Sequence, residues 1–338
     1  MFTTSDLVLK IVFLLIVVLV VIYFLGPIPP RPKLSPVLPS VISEIQLLSA
    51  QIDDSEKHVV GLKADNQARI VWADSNMKQK TKYCVVYLHG LGGSQGDGMP
   101  IHTDFAKRYG CNLYLARLYG HGVESNEALV DLTAENYLES ANRAIGIGKI
   151  LGDKVIIMAT STGASLALII ASEHPEIAAL IFYSPNIDFK NKGSFLLTCH
   201  WGLQLARLTQ GSKNIISNDP DSVRKYWLSK YRIEALISVK NLLNHKMNPQ
   251  TFKKIHQPIF VGYYYKNELE QDDRVSVSRI LEMFDQIGTP SNAKRKIAFP
   301  NTGVHPIASS VMSKDIKSVR NETFKFADEI LKLSPIAK

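Results

Sequence analysis

Uninterrupted apolar runs rich in branched and aromatic side chains alternate along this chain with segments of helical spacing. The runs are Ala68–Trp72, Tyr83–Leu88, Asn112–Leu118, Lys154–Ala159, Ala178–Tyr183, Pro258–Tyr265 and Lys296–Phe299. Helical patterns cover Val41–Gln51, Thr133–Leu151, Thr162–Glu173, Val277–Ile287 and Ile316–Leu333. A strand that is apolar on both faces must be covered on both faces, and helical connections supply that cover. The pattern therefore predicts an α/β fold with a mostly parallel sheet and helices on either side. Between Asn186 and His256 the alternation stops. Trp201, Tyr226, Trp227 and Tyr231 lie there among helical patterns with no clear strand, so residues 186–256 read as a cap inserted over the sheet.

The N-terminus is of another kind. Leu7–Leu25 carries one charge, Lys10, and approaches the roughly 20 apolar residues that cross a bilayer. A signal peptide is the rival reading, but Gly26-Pro27-Ile28-Pro29-Pro30 follows, without a small-residue cleavage site. Residues 1–25 thus read as a single transmembrane anchor, with a balanced distribution of basic residues that leaves its orientation open. Residues 26–40 contain six prolines and read as an extended, semi-rigid spacer. Residues 41–338 form the folded domain, long enough for a well-buried core.

Composition narrows the function. The net charge is +8, but the basic residues are scattered among acids, which argues against nucleic acid as a partner. Three cysteines, Cys84, Cys111 and Cys199, cannot all pair within one chain; Cys84 and Cys111 sit in apolar runs and read as buried thiols. No metal-ligand spacing, phosphate loop or dinucleotide fingerprint occurs, so no metal or cofactor is called for.

The chemistry concentrates at the ends of strands. Val155 to Thr160 runs into Ser161-Thr162-Gly163 and then a helix, which is the strand–turn–helix setting of a nucleophilic serine. The turn is so tight that residues two before and two after the serine must be small; Gly163 satisfies this on one side, and Ala159 stands where glycine is usual. Upstream, Tyr83–Leu88 ends in His89-Gly90-Leu91-Gly92-Gly93, a loop suited to donating a backbone N–H to an oxyanion. Leu91 and Thr162 are the candidate donors. Downstream, Asp272 and Asp273 follow one strand and His305 follows the next. The order Ser, Asp, His at successive strand ends fits a nucleophile, an orienting acid and a base. His121, in Tyr119-Gly120-His121-Gly122, is a rival base.

His89-Gly90, Arg117-Leu118-Tyr119-Gly120-His121-Gly122, Ala159-Thr160-Ser161-Thr162-Gly163 and His305 together resemble the α/β-hydrolase superfamily. Within it the chain is similar to serine hydrolases of the lysophospholipase and monoacylglycerol-lipase type, and looks closest to bacterial membrane-anchored members. The resemblance runs from about Glu56 onward. It implies the α/β-hydrolase fold with a helical cap, Ser161 as nucleophile, His305 as base, and Asp272, first in Asp272-Asp273-Arg274-Val275, as the acid, with Asp273 the alternative. The reaction so implied is hydrolysis of a carboxylic ester through an acyl-serine, on a small-molecule or lipid-like acyl substrate, with no cofactor. Amide, peptide or thioester cleavage by the same triad is the second reading. A non-catalytic binding protein on this fold is the third.

Overall fold

A computed structural model describes residues 4–336. Seven strands form the main sheet: β1 (Arg69–Val71), β2 (Thr81–Leu88), β3 (Asn112–Leu115), β4 (Gly152–Thr160), β5 (Ala179–Tyr183), β8 (Ile259–Tyr263) and β9 (Lys294–Ala298). Two further strands, β6 (Asn214–Ile216) and β7 (Lys230–Arg232), form a separate antiparallel pair. The main sheet has the order β1-β3-β2-β4-β5-β8-β9, and only the edge strand β1 runs antiparallel. This is the architecture that the alternation of runs predicts.

Side chains of β2 and β4 divide by parity, as a pleated strand requires. Val86 and Leu88 of β2, with Ile157 and Ala159 of β4, face a core closed by α4 (Ala134–Leu151), α5 (Thr162–Ala171) and α10 (Val277–Gln286). Val85, Tyr87, Ile156 and Met158 face a second core closed by α3 (Ile101–Tyr109) and α11 (Ile316–Glu329). Helix α3 is absent from the sequence expectations; its apolar face of Ile101, Phe105, Ala106 and Tyr109 is diluted by His102, Lys107 and Arg108. Helix α4 is opened by Thr133 as its N-cap. The Thr133 hydroxyl accepts from the Asn136 N–H at 3.2 Å, and the Asn136 side chain accepts from the Thr133 N–H at 2.9 Å. Cys84 and Cys111 are buried free thiols.

The chain between the neighbouring strands β5 and β8 builds the cap: α6 (Gly202–Gln210), the β6–β7 pair, the one-turn α7 (Asp221–Arg224), α8 (Glu234–Lys246) and α9 (Pro249–Phe252). The sequence reading finds no strand there, whereas the structure has two. Three residues are too few for a period-two pattern to show.

Helix α1 (Thr4–Phe24) is followed by the proline-rich segment, and here structure and expectation differ more. That segment is extended, but it is a strap laid on the domain instead of a free spacer. Side chains grip its carbonyls: His200 Nδ1 lies 2.7 Å from Gly26 O, Asn241 donates to Pro30 O at 2.8 Å, Asn142 donates to Ser35 O at 2.8 Å, and His174 Nε2 lies 2.7 Å from Pro36 O. Glu135 accepts from the Lys33 N–H at 2.8 Å, while Leu34 and Leu38 pack against the core. Prolines lack N–H groups, and extended chain makes no internal hydrogen bonds, so its carbonyls are available to asparagine and histidine side chains. Helix α2 (Ile45–Lys57) comes next and is tied to the β3 exit by a paired contact, with Glu56 accepting from Arg117 Nε at 2.6 Å and Nη2 at 2.9 Å.

Each strap hydrogen bond contributes about 1 kcal/mol. The double substitution Asn142→Ala with Asn241→Ala is expected to lower Tm by a few degrees and to expose residues 26–40 to limited proteolysis. Cleavage of that segment at the wild-type rate would show that these side chains do not hold it.

Candidate active site

Ser161 occupies the hinge between β4 and α5 with φ 55° and ψ −122°, a left-handed conformation that a residue with a Cβ adopts only when its surroundings enforce it. The enforcement is visible. Its N–H donates to Tyr183 O at 3.0 Å, and its C=O accepts from Asn186 and Ala164, each at 3.0 Å. Two residues on, a Cβ at Gly163 would stand 2.2 Å from Leu88 O and 2.6 Å from His89 O. Only glycine lets α5 start this close to the end of β2. Ala159, the departure from the usual pattern, is wholly buried beside Leu88 and Phe182 in the sheet register, so its methyl has a place.

That close approach brings the His89–Gly93 loop against the serine. A Cβ on Gly90 would lie 3.0 Å from Ser161 Cβ. Gly90 O accepts from the Gly93 N–H at 3.1 Å and from His89 Nδ1 at 2.9 Å. His89 Nε2 accepts from the Leu118 N–H at 3.0 Å, which places the ring proton on Nδ1. Burial lowers the His89 pKa to about 4, so this imidazole is a neutral brace between the loop and the β3 exit. Among the described residues, the backbone N–H groups of Leu91 and Thr162 have no hydrogen-bond partner. Thr162 is otherwise held, its hydroxyl accepting from the Asn186 amide at 3.2 Å.

His305 follows β9, and Asp272 follows the neighbouring β8; both stand at the same edge of the sheet as Ser161. His305 Nδ1 lies 2.7 Å from Asp272 Oδ2. The other Asp272 oxygen accepts from the N–H groups of Arg274 at 2.9 Å and Val275 at 3.0 Å. Burial opposes both charges, yet His305 and the two N–H groups outweigh it at Asp272 and lower its pKa, while Asp272 raises that of His305. Asp273 is exposed and faces Arg274 at 3.6 Å, so it is Asp272 that meets the imidazole. Among the described residues no carboxylate pairs with His121. Its Nδ1 bonds Tyr119 O at 2.8 Å, its ring stacks on Tyr137 and packs against His89, and burial holds its pKa far down.

Asp97 escapes a reading of the sequence. It is buried under the His89–Gly93 loop, accepting from the Gly90 N–H at 2.8 Å and from the Tyr87 hydroxyl. An acid in Gly93-Ser94-Gln95-Gly96-Asp97 looks like one more polar loop residue. Among the described residues no group of three or more His, Cys, Asp or Glu side chains is gathered as a metal site would require.

With this geometry in view, comparison with known proteins is informative. The family described as serine aminopeptidase S33 (Hydrolase_4) matches residues 79–263. A solved structure reported with the metagenome-derived lipolytic enzymes LipS and LipT superposes with a TM-score of 0.62 at 14% identity, covering 78% of this chain and 98% of that one. The monoacylglycerol lipase of Paleococcus ferrophilus gives 0.55 at 13% identity, covering 77% and 96%. A soluble variant of monoglyceride lipase from Saccharomyces cerevisiae, bound to a substrate analogue, gives 0.56 at 12% identity, covering 77% and 91%. Identities this low establish the shared fold. No curated protein matches the chain in sequence.

The Asp272 carboxylate sets the His305 titration, and the sign of its removal follows. The native imidazole is expected to titrate above the ordinary histidine value. In Asp272→Asn burial, which disfavours the imidazolium, is opposed only by the weaker pull of Asp273, so the midpoint should move to lower pH. Histidine-resolved NMR titration checks this; an unmoved His305 midpoint in Asp272→Asn would refute the coupling.

Proposed function

From the premise that this chain belongs to the serine aminopeptidase S33 family of α/β hydrolases and is a serine hydrolase, we propose that it cleaves a carboxylic ester through an acyl-Ser161 intermediate. The observation that carries this reading is the buried Asp272–His305 pair at the sheet edge that also presents Ser161 on its strained turn. His305 takes the Ser161 proton as Oγ adds to the carbonyl carbon, and gives it to the leaving alkoxide as the tetrahedral adduct collapses. In the second half His305 takes a proton from water as its oxygen adds to the acyl-serine, and returns that proton to Ser161 Oγ as the acyl–Oγ bond breaks and the acid leaves. Asp272 fixes the imidazole tautomer and stabilises its charge. The unpaired N–H groups of Leu91 and Thr162 receive the oxyanion.

Support for an apolar acyl group comes from the N-terminus and from the relatives. Ser5–Phe24 is a helix long and apolar enough to cross a membrane, with mean hydropathy 3.2 and none of its span buried. A signal sequence passes the same test; the absence of a cleavage-type sequence favours an anchor that stays. The solved structures described above are named as lipolytic enzymes and monoacylglycerol lipases. With α1 in a bilayer, the strap leaves little slack. The end of that helix meets the cap, with Trp201 Nε1 donating to Ile22 O at 2.9 Å and Trp201 N–H to Pro27 O at 2.9 Å. The cap would then sit at the lipid surface, where a lipid-like substrate enters. Peptide or amide cleavage is the second reading, favoured by the printed description of the matching family.

Three experiments test these statements. A fluorophosphonate probe should form an adduct on Ser161 of the full chain, located by mass spectrometry. Ser161→Ala should lose both the adduct and turnover of p-nitrophenyl esters, by at least about 10⁴-fold. Activity surviving in folded Ser161→Ala would end the mechanism. A panel of acyl esters against aminoacyl amides then separates the two readings. For the anchor, the full chain should stay with membranes through alkaline carbonate extraction, and its release into the soluble fraction would remove the anchor.

A further inference from the structure

The mechanism leaves Asp97 unused. It lies wholly inside the protein, and its surroundings are arranged around it. Oδ2 accepts from the Gly90 N–H at 2.8 Å. Oδ1 accepts from the Tyr87 hydroxyl, whose oxygen lies 2.8 Å from Thr160 Oγ1, on the residue just before Ser161. Gly90 and Gly93 both border the carboxylate: a Cβ at either would come 3.3 Å or 3.0 Å from Oδ2.

The oxyanion loop has a particular difficulty. A side chain at Gly90 would be crowded, because its Cβ would lie 3.0 Å from Ser161 Cβ and 3.3 Å from Asp97 Oδ2. A glycine carries the widest backbone freedom of any residue, so a loop built on it does not hold one geometry without help. Two contacts supply the help. The peptide joining Gly90 to Leu91 is planar and trans, with its C=O and N–H pointing in opposite directions. Gly93 N–H and the His89 ring capture the C=O end, which turns the Leu91 N–H the other way. Asp97 captures the preceding N–H, of Gly90 itself. With both peptides flanking Gly90 fixed, its φ and ψ are set.

We propose that Asp97 is a positioning residue for the oxyanion hole, pinning Gly90 so that the Leu91 N–H is aimed at the oxyanion, and tying that loop through Tyr87 to the Thr160–Ser161 turn. This rests on the reading of Ser161 as nucleophile and of Leu91 as donor. The role requires an acceptor of carboxylate size at residue 97, not a full charge. Burial raises the Asp97 pKa to about 7, against the hydrogen bonds from Tyr87 and Gly90 and the nearby His305, which agrees with a group whose charge is dispensable.

The test uses the full-length protein and a peptide-free trifluoromethyl ketone bearing the best acyl chain from the ester panel. Ser161 Oγ adds to that ketone carbon, its proton passes to His305, and the resulting oxyanion occupies the hole. Loss of one oxyanion donor costs about 100-fold or more in kcat. Asp97→Ala is expected to lower kcat and ketone affinity together by about that factor, with KM within about 3-fold of wild type. Asp97→Asn, which keeps an acceptor for Gly90, should recover most of both. If Asp97→Ala does not fold, Tyr87→Phe, which frees one carboxylate oxygen, should weaken ketone affinity with KM unchanged. A folded Asp97→Ala with wild-type kcat and ketone affinity overturns the proposal, as does an Asp97→Asn as impaired as the alanine, or a Tyr87→Phe with unaltered ketone affinity. Wild-type protein that forms no Ser161 adduct defeats the functional reading instead, and this proposal with it.

Discussion

The contact between the start of α5 and the end of β2 governs the candidate site. The carbonyls of Leu88 and His89 occupy the space that a side chain at residue 163 would need. Glycine there lets the helix descend onto the sheet, and the descent forces Ser161 into its left-handed conformation above the strand ends. The same approach crowds the space beside Gly90, where a Cβ would lie 3.0 Å from Ser161 Cβ, and a second glycine across the gap relieves it. Two residues without side chains thus bring a serine close against the His89–Gly93 loop. The cost is lost rigidity on both sides, recovered by polar contacts: Tyr183 O and Asn186 N–H on the serine, His89 and Asp97 on the loop.

How far this was legible in the sequence depends on whether a feature is local. The turn at Ser161 follows from small residues at fixed offsets between a strand and a helix, and the structure has that turn. The sheet follows from apolar runs, because both faces of each central strand are covered and no polar face interrupts the pattern. Asp272 against Asp273 was open because neighbouring positions share a composition. Their difference is tertiary: Asp272 turns inward to His305 and two backbone N–H groups, while Asp273 faces solvent and Arg274. Asp97 was illegible for the same reason. Nothing in a glycine-rich loop announces that its one acid folds back beneath it. The strap depends on distant residues too. Proline content correctly predicts extended chain, but whether such chain stands free depends on partners in α4 and α8 that lie more than a hundred residues away.

The two buried carboxyls Asp97 and Asp272 show how environment sets the state of a side chain. Both pay the penalty of burial, and they answer it differently. Asp272 receives two backbone N–H groups on one oxygen and the imidazole on the other, so its pKa ends below the ordinary value. Asp97 receives one N–H and one hydroxyl, and His305 acts on it only through space, so burial prevails and its pKa rises. This contrast suits a site of acyl transfer. A fixed negative charge is useful behind the imidazole, where positive charge develops. Beneath the loop proposed to hold the oxyanion it would oppose the charge that forms there, so a carboxyl whose pKa is raised gives the loop its acceptor at a smaller electrostatic penalty. Burial, which works against the ion at both positions, is thereby overcome where the proposed mechanism needs charge and left to prevail where that mechanism would be hindered by it.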